Sequence, residues 1–212
     1  MVTGTPVRGD FFTYTRKEAR EKLGLTDDRP MVLSYWGSLG AAVMNGYRAG
    51  LLDLECKAGE PFHHLHGAGR DYERLTGELN KKGVRLSEHP RLEVREYIYD
   101  MPVAMAAADL VVCRAGASTV SELSALAKPS VLVPSPNVVA DHQTKNAKVL
   151  ADKGGAVLLP EKDCSPQVLW QAVSDLLESP EKRAAMSRAL REMAIPDANE
   201  KIYGTLMELL GR

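Results

Sequence analysis

The sequence is poor in cysteine and aromatics, carries no excess of either charge and contains no long apolar run. Each shortage removes a class of function. Three cysteines, Cys56, Cys113 and Cys164, are widely spaced and form no CxxC pair. Neither a thiolate metal site nor a disulfide framework is suggested, and a reducing, cytoplasmic setting is expected. Lys and Arg number 27 against 28 Asp and Glu, a formal net charge of −1. The broad positive field that holds a nucleic-acid backbone is missing, so no nucleic-acid partner is expected. No apolar stretch approaches the roughly 18 residues needed to span a bilayer. The opening MVTGTPVRGDFF lacks the charged-then-apolar order of a secretory signal. The expectation is a soluble chain that meets a membrane only at its surface. There is no internal repeat, no Walker A loop and no dinucleotide fingerprint.

What is present is alternation. Hydrophobic residues make up 44% of the 212, enough for a sizeable core. Short apolar runs at 30–36, 61–67, 92–98, 108–113, 129–134 and 155–160 read as buried strands. Helical patterns fall between them, from about Ala41, near 71–82, at 101–107, 118–127 and 140–153. This order predicts an α/β fold, a doubly wound parallel sheet of about six strands with helices on both faces. After the sixth strand come two amphipathic helices, each opened by Ser-Pro (Ser165-Pro166 and Ser179-Pro180). Pro196 then interrupts the chain before a last helix over about 197–211, apolar at Ile202, Leu206, Leu209 and Leu210. The whole of 1–212 is expected to form one domain.

In an open sheet of this kind ligands bind beyond the carboxyl ends of the strands, which selects the loops 36–41, 97–101, 113–119 and 134–146. Loop 36–41, WGSLGA, has two glycines and Ser38 ahead of a helix start, a setting that suits phosphate as well as a tight turn. Loop 113–119 belongs to VVCRAGASTVSE. There Thr119 and Glu122 match the capping pattern T-x-x-E, while Glu122 could instead accept from two hydroxyls of a sugar diol. In loop 134–146, Gln143 and Asn146 lie three apart on one helical face and offer a donor and an acceptor each. An ordinary solvated first turn explains them as well. His63, His64 and His66 have no carboxylate or Cys cluster beside them, and strand alternation turns His63 away from the other two.

Read in order, TGTPVR, GSLGA, EYIYDMPVAMAAADLVVCRAGASTVSEL and PSVLVPSPNVVADHQTKNA resemble the carboxyl-terminal half of the MurG family over essentially the whole chain. These bacterial N-acetylglucosaminyltransferases form lipid II. The resemblance implies half of a GT-B fold, a Rossmann-like domain that binds UDP-N-acetylglucosamine while an amino-terminal domain binds the lipid acceptor, lipid I. It implies Arg8 near the diphosphate, Ser38 on phosphate and the Ile98 backbone on the uracil edge. It further implies Ala115, Gly116 and Ala117 at the turn near the sugar, Ser118 and Thr119 at a helix start facing pyrophosphate, Glu122 on the ribose hydroxyls, and Gln143 and Asn146 on the N-acetylglucosamine. Trp36, Leu39 and Thr5 depart from residues common in the family. No DxD pair is present and no metal or other cofactor is expected. Transfer would invert the anomeric centre. The catalytic base is expected in the amino-terminal domain, so this chain alone would bind donor without turnover. The last helix would normally pack on that domain, and the full-length enzyme would sit on the inner face of the bacterial plasma membrane. The alternatives are the donor subunit of a split transferase, or a GT-B or epimerase-like enzyme acting on another UDP-sugar.

Overall fold

A computed structural model describes residues 3–36, 42–195 and 197–211, with residues 42–45 described by backbone only. Pro196 lies outside them. Six parallel strands form one sheet: β1 (Met31–Tyr35), β2 (His63–Gly67), β3 (Leu92–Arg95), β4 (Leu110–Cys113), β5 (Ser130–Leu132) and β6 (Ala156–Leu158). Their spatial order is β3-β2-β1-β4-β5-β6. The chain runs outward to one side from β1, then returns to start the other half at β4. The crevice between β1 and β4 is therefore the topological switch point, where a ligand finds room between diverging crossovers.

Helices cover both faces. One face carries α2 (Ala42–Lys57), α3 (Tyr72–Lys81) and α7 (Pro166–Leu177); the other carries α1 (Arg16–Lys22), α4 (Met101–Ala107), α5 (Ala117–Ala125), α6 (His142–Asp152) and α8 (Pro180–Met193). Strand β4, Leu-Val-Val-Cys, has no exposed surface at any of its four residues, which is why it reads as a continuous apolar run rather than an alternating one. Side chains alternate between the two cores: Val32 and Trp36 of the β1 region face Leu51 of α2 and Leu169 and Val173 of α7, while Leu33 faces Met105 of α4 and Leu123 of α5. Helix α2 crosses α7 so closely that a Cβ on Gly50 would collide with Pro166.

Helix α1 has no counterpart among the apolar patterns. Its start is fixed by a capping box: Thr15 Oγ1 accepts from the Glu18 amide at 3.3 Å, and the Thr15 amide donates to Glu18 Oε2 at 2.8 Å. Asp109 then ties α1 to the sheet, accepting from Arg16 Nε at 2.8 Å and from the Met31 amide at 2.8 Å. The strand expected over 92–98 ends at Arg95, because Glu96–Ile98 leave the sheet and Ile98 folds back over Gly67. The last helix, α9 (Ala198–Leu209), buries only Ala198, and leaves Tyr203, Leu206, Leu209 and Leu210 between 53% and 79% exposed.

The three histidines of β2 hold structural bonds. His63 Nε2 meets Asp27 Oδ1 at 2.7 Å on one face. On the other, Ser34 Oγ lies 2.7 Å from His64 Nε2 and 2.6 Å from His66 Nδ1, and His64 Nδ1 lies 2.6 Å from Glu55 Oε2. This buried chain joins β1, β2 and α2.

Candidate functional site

Three of the loops selected by the carboxyl-end rule, 97–101, 113–119 and 134–146, lie on the switch-point side of the sheet; residues 37–41 of the fourth lie outside the described residues. After β3, Tyr97 and Ile98 turn over the end of β2. A Cβ added to Gly67 would meet Ile98 Cδ1 at 3.1 Å and Tyr35 Cβ at 3.4 Å, so the glycine at the end of β2 is what lets Ile98 close down. The result is a mostly apolar cavity of about 150 Å³ bounded by Tyr35, Gly67, Tyr97, Ile98 and Met101. Its walls suit a planar heterocycle, and Ile98 is one of them.

After β4 the chain turns through Arg114 and Ala115 into α5. The helix begins three residues earlier than the capping pattern requires. Gly116 is the N-cap, with φ −65° and ψ 154°, and no side chain caps this end. Thr119 is therefore the third helical residue, and the Thr119–Glu122 capping box is not formed. The physical reason is that Gly116 already takes the extended N-cap conformation, its carbonyl accepting from the Val120 amide at 2.9 Å. The amides of Ala117, Ser118 and Thr119 are left as a first-turn set at the positive end of the helix dipole. Gly116 has an ordinary φ, and a Cβ there would meet only Thr119 Oγ1 at 3.8 Å. No internal contact requires a glycine, whereas an anion approaching the helix end does benefit from its bare backbone.

Freed from capping, Glu122 is half-buried and its carboxyl makes no hydrogen bond among the described residues. Burial pushes its carboxyl above the usual range; Arg8 partly opposes this and Asp10 adds to it. The structure thus brings Arg8 to Glu122 from the far end of the sequence. Arg8 is exposed, pairs with Asp10 at 3.4 Å and holds its guanidinium 5.2 Å from the Phe11 ring centroid.

After β5, the entry to α6 is held in a left-handed backbone at two successive non-glycine residues, Ala140 (φ 54°) and Asp141 (φ 51°). Such positions cost free energy and persist only where the surroundings over-determine them. They are fastened by His142 Nδ1–H, which donates to the Val139 carbonyl at 2.9 Å, and by Thr144, which donates to Asp141 at 2.6 Å. The expected pair of amides is present and half committed. Gln143 Oε1 accepts from the Ser135 amide at 2.9 Å, and Asn146 Nδ2 donates to the Ala115 carbonyl at 3.0 Å. One amide group of Gln143 and one carbonyl of Asn146 remain, a donor and an acceptor oriented by bonds to both neighbouring loops. The expected contact of Ser38 lies outside the described residues.

Two neighbours carry weight that sequence reasoning did not give them. Arg114 donates to the Val133 carbonyl at 3.0 Å, pairs with Glu161, and sits 5.9 Å from the Trp36 ring centroid. It ties the ends of β1, β4, β5 and β6 together beneath the loops. Trp36, which departs from the small residue common in the family, is buried against this cation and not offered to a ligand. Tyr35 lines the base-sized cavity and sends its hydroxyl toward α5. The signal for both was adjacency: Arg114 precedes Ala115, and Tyr35 ends the first strand. Cys113, beside them, has its thiol pushed to about 12 by burial, so it is no nucleophile at neutral pH.

Residues 31–202 match the model of the Glycosyltransferase family 28 C-terminal domain. The chain belongs to this family. A Salinibacter ruber protein is 42% identical over 212 residues, all of this chain and 55% of its own length, and an Acetivibrio thermocellus protein is 39% identical over 210 residues, 99% of this chain and 56% of its own. Both are named UDP-N-acetylglucosamine--N-acetylmuramyl-(pentapeptide) pyrophosphoryl-undecaprenol N-acetylglucosamine transferase. The crystal structure of Acinetobacter baumannii MurG superposes with a TM-score of 0.74 at 29% identity, over 96% of this chain and 57% of that one. The calicheamicin glycosyltransferase CalG4, at 21% identity and TM-score 0.66, shares the fold alone. The chain spans about half the length of the curated relatives it matches, and as a family 28 carboxyl-terminal domain it is half of a GT-B architecture.

Proposed function

We propose that this chain is the donor half of an inverting N-acetylglucosaminyltransferase that moves N-acetylglucosamine from UDP-N-acetylglucosamine to lipid I, giving lipid II for peptidoglycan. One observation supports the reading: the cavity lined by Ile98, the helix α5 with its open amino end and Glu122, and the oriented amides of Gln143 and Asn146 follow β3, β4 and β5 on successive sides of the switch point, an order that would suit base, ribose and diphosphate, and sugar. Uracil would lie in the cavity with its edge on the Ile98 backbone. The ribose hydroxyls would donate to Glu122. The diphosphate would meet the amides of residues 117–119, with Ala115 and Gly116 giving way to the sugar, and Arg8 and Ser38 would add contacts to phosphate.

The chemistry then follows from charge. The acceptor hydroxyl attacks the anomeric carbon from the face opposite UDP, the C1–O bond to the diphosphate breaks, and negative charge grows on the leaving group. Preorganised amides at a helix end and a guanidinium stabilise that charge without reorganisation; no metal is needed in this scheme. The base that takes the acceptor proton belongs to an amino-terminal half, so this chain by itself is expected to bind donor and not to turn over. The exposed apolar residues of α9 would pack on that half, and membrane contact and acceptor recognition would belong to it, at the cytoplasmic face of the membrane. No helix among the described residues is long and apolar enough to cross a membrane.

The reading is tested with Gln143→Ala and Asn146→Ala. Each should lower affinity for UDP-N-acetylglucosamine several-fold while leaving affinity for UDP unchanged. Equal losses on both ligands would mean that the amides only shape the loop and do not read the sugar.

A further inference from the structure

Among the described residues, the hydroxyl of Tyr35 is a buried polar atom at the site that the fold leaves unpaired. Tyr35 is the last residue of β1 and stands in register with Cys113, the last residue of β4, across the switch point. Its ring forms a wall of the cavity assigned to the base. Its oxygen is buried and has no hydrogen-bond partner. The Cys113 thiol and the Thr119 hydroxyl lie beside it and Glu122 is near enough to influence it, yet the distances and angles close no hydrogen bond to the oxygen. Thr119 and Glu122 are three residues apart on α5, so they present one face of the helix to the tyrosine.

A buried unpaired hydroxyl is costly, and phenylalanine would supply the same ring without the cost. An oxygen retained there makes sense if its partner arrives with the ligand. Glu122 is the group that changes: in the free chain it is half-buried, its carboxyl has no hydrogen-bond partner among the described residues, and ribose hydroxyls would favour its ionised form. An ionised carboxylate has about four acceptor sites. A ribose diol would use two, and a third donor from the protein side would hold the carboxylate in place. Burial keeps the Tyr35 proton on its oxygen at neutral pH, so the group is a donor throughout.

We infer that Tyr35 is a positioning residue for ribose recognition, donating its hydroxyl to the Glu122 carboxylate when that carboxylate accepts the 2′ and 3′ hydroxyls. This rests on the donor-site reading above and adds to it a link between the base wall and the ribose acid: one side chain lines the first and orients the second.

The test is a titration of the 212-residue chain with UDP and with 2′-deoxy-UDP, for the unaltered chain, Tyr35→Phe, Glu122→Gln and the double variant. Tyr35→Phe should weaken UDP roughly fivefold, the loss of one hydrogen bond to a charged group, and should leave 2′-deoxy-UDP within about twofold. It should have no further effect in the Glu122→Gln background. Its melting temperature should equal or exceed that of the unaltered chain, since an unpaired buried group has been removed. Equal losses on both nucleotides would make Tyr35 a base-pocket wall only, and no loss on either would remove it from recognition; each overturns the inference while leaving the donor site standing. Failure of the unaltered chain to bind UDP would overturn the donor-site reading and this inference with it.

Discussion

Glu122 concentrates the chemistry of the site in one titratable group. Burial raises its carboxyl pKa in the free chain, and a protonated carboxyl would offer donating ribose hydroxyls fewer and weaker acceptor sites than the carboxylate. Nucleotide affinity should therefore be full above that raised pKa and fall as pH drops through it. Glu122→Gln should be about tenfold weaker and flat over the same range; comparing the two by calorimetry cancels the ligand's own titration. A variant that keeps the wild-type pH profile would place the ribose elsewhere. At this scale the sequence was partly legible. Residue types that suit a diol and an acetamide stand out in ASTVSE and DHQTKNA, but the pattern T-x-x-E has opposite outcomes at α1 and α5. At Thr15–Glu18 it is a capping box; at Thr119–Glu122 it is not, because Gly116 starts the helix sooner. Pattern alone does not say which residue takes the N-cap conformation. Tyr35 was illegible for another reason: a strand-end tyrosine reads as core until the unpaired oxygen is seen.

Among the elements, α5 carries the account. Its amino end lacks a side-chain cap, while α7 and α8, away from the site, are capped by Ser165 and Ser179. Gly116→Ala meets no steric obstacle in the folded chain, so stability should move by no more than about 0.5 kcal/mol in thermal denaturation. UDP affinity should nevertheless fall several-fold, because the added methyl enters the space an incoming phosphate needs. Retention of full affinity would move the diphosphate off this helix end. A second element-scale device is the clasp of Arg114 with Glu161. Both side chains are nearly buried, at 11% and 9% exposure, so Arg114→Met alone should cost about 3 kcal/mol by leaving a buried carboxylate unpaired. Adding Glu161→Leu should recover most of it, read by urea denaturation. Apolar runs announced all six strands, and Ser-Pro announced α7 and α8. Helix α1 was missed because its seven residues, RKEAREK, are almost all charged and only Ala19 and Arg20 are buried. The third strand was drawn too long because nothing local reveals that Ile98 turns back over Gly67.

For the whole molecule, the buried Glu55–His64–Ser34–His66 chain links β1 and β2 to α2 and sets a pH limit. Burial, with His64 and Arg48 adding, holds His66 neutral far below the usual histidine range. The unfolded chain takes up that proton near pH 6.5 and the folded chain does not. This contribution is thus complete above about pH 6.5 and is lost as pH falls, by up to about 1.4 kcal/mol per unit. Between about pH 5 and 6.5, His66→Asn should show a shallower loss of stability than the unaltered chain; parallel slopes would mean that His66 is protonated in place. The strand order was not legible in the sequence, which gives alternation but not which strand follows which in space. It is the order, with its reversal between β1 and β4, that gathers distant loops into one site. The most direct measurement is a calorimetric titration of UDP-N-acetylglucosamine and UDP-glucose into the chain and into Glu122→Ala. The account predicts binding that prefers the N-acetyl sugar and weakens in the variant. Equal affinity for both sugars, unaffected by loss of Glu122, would contradict it.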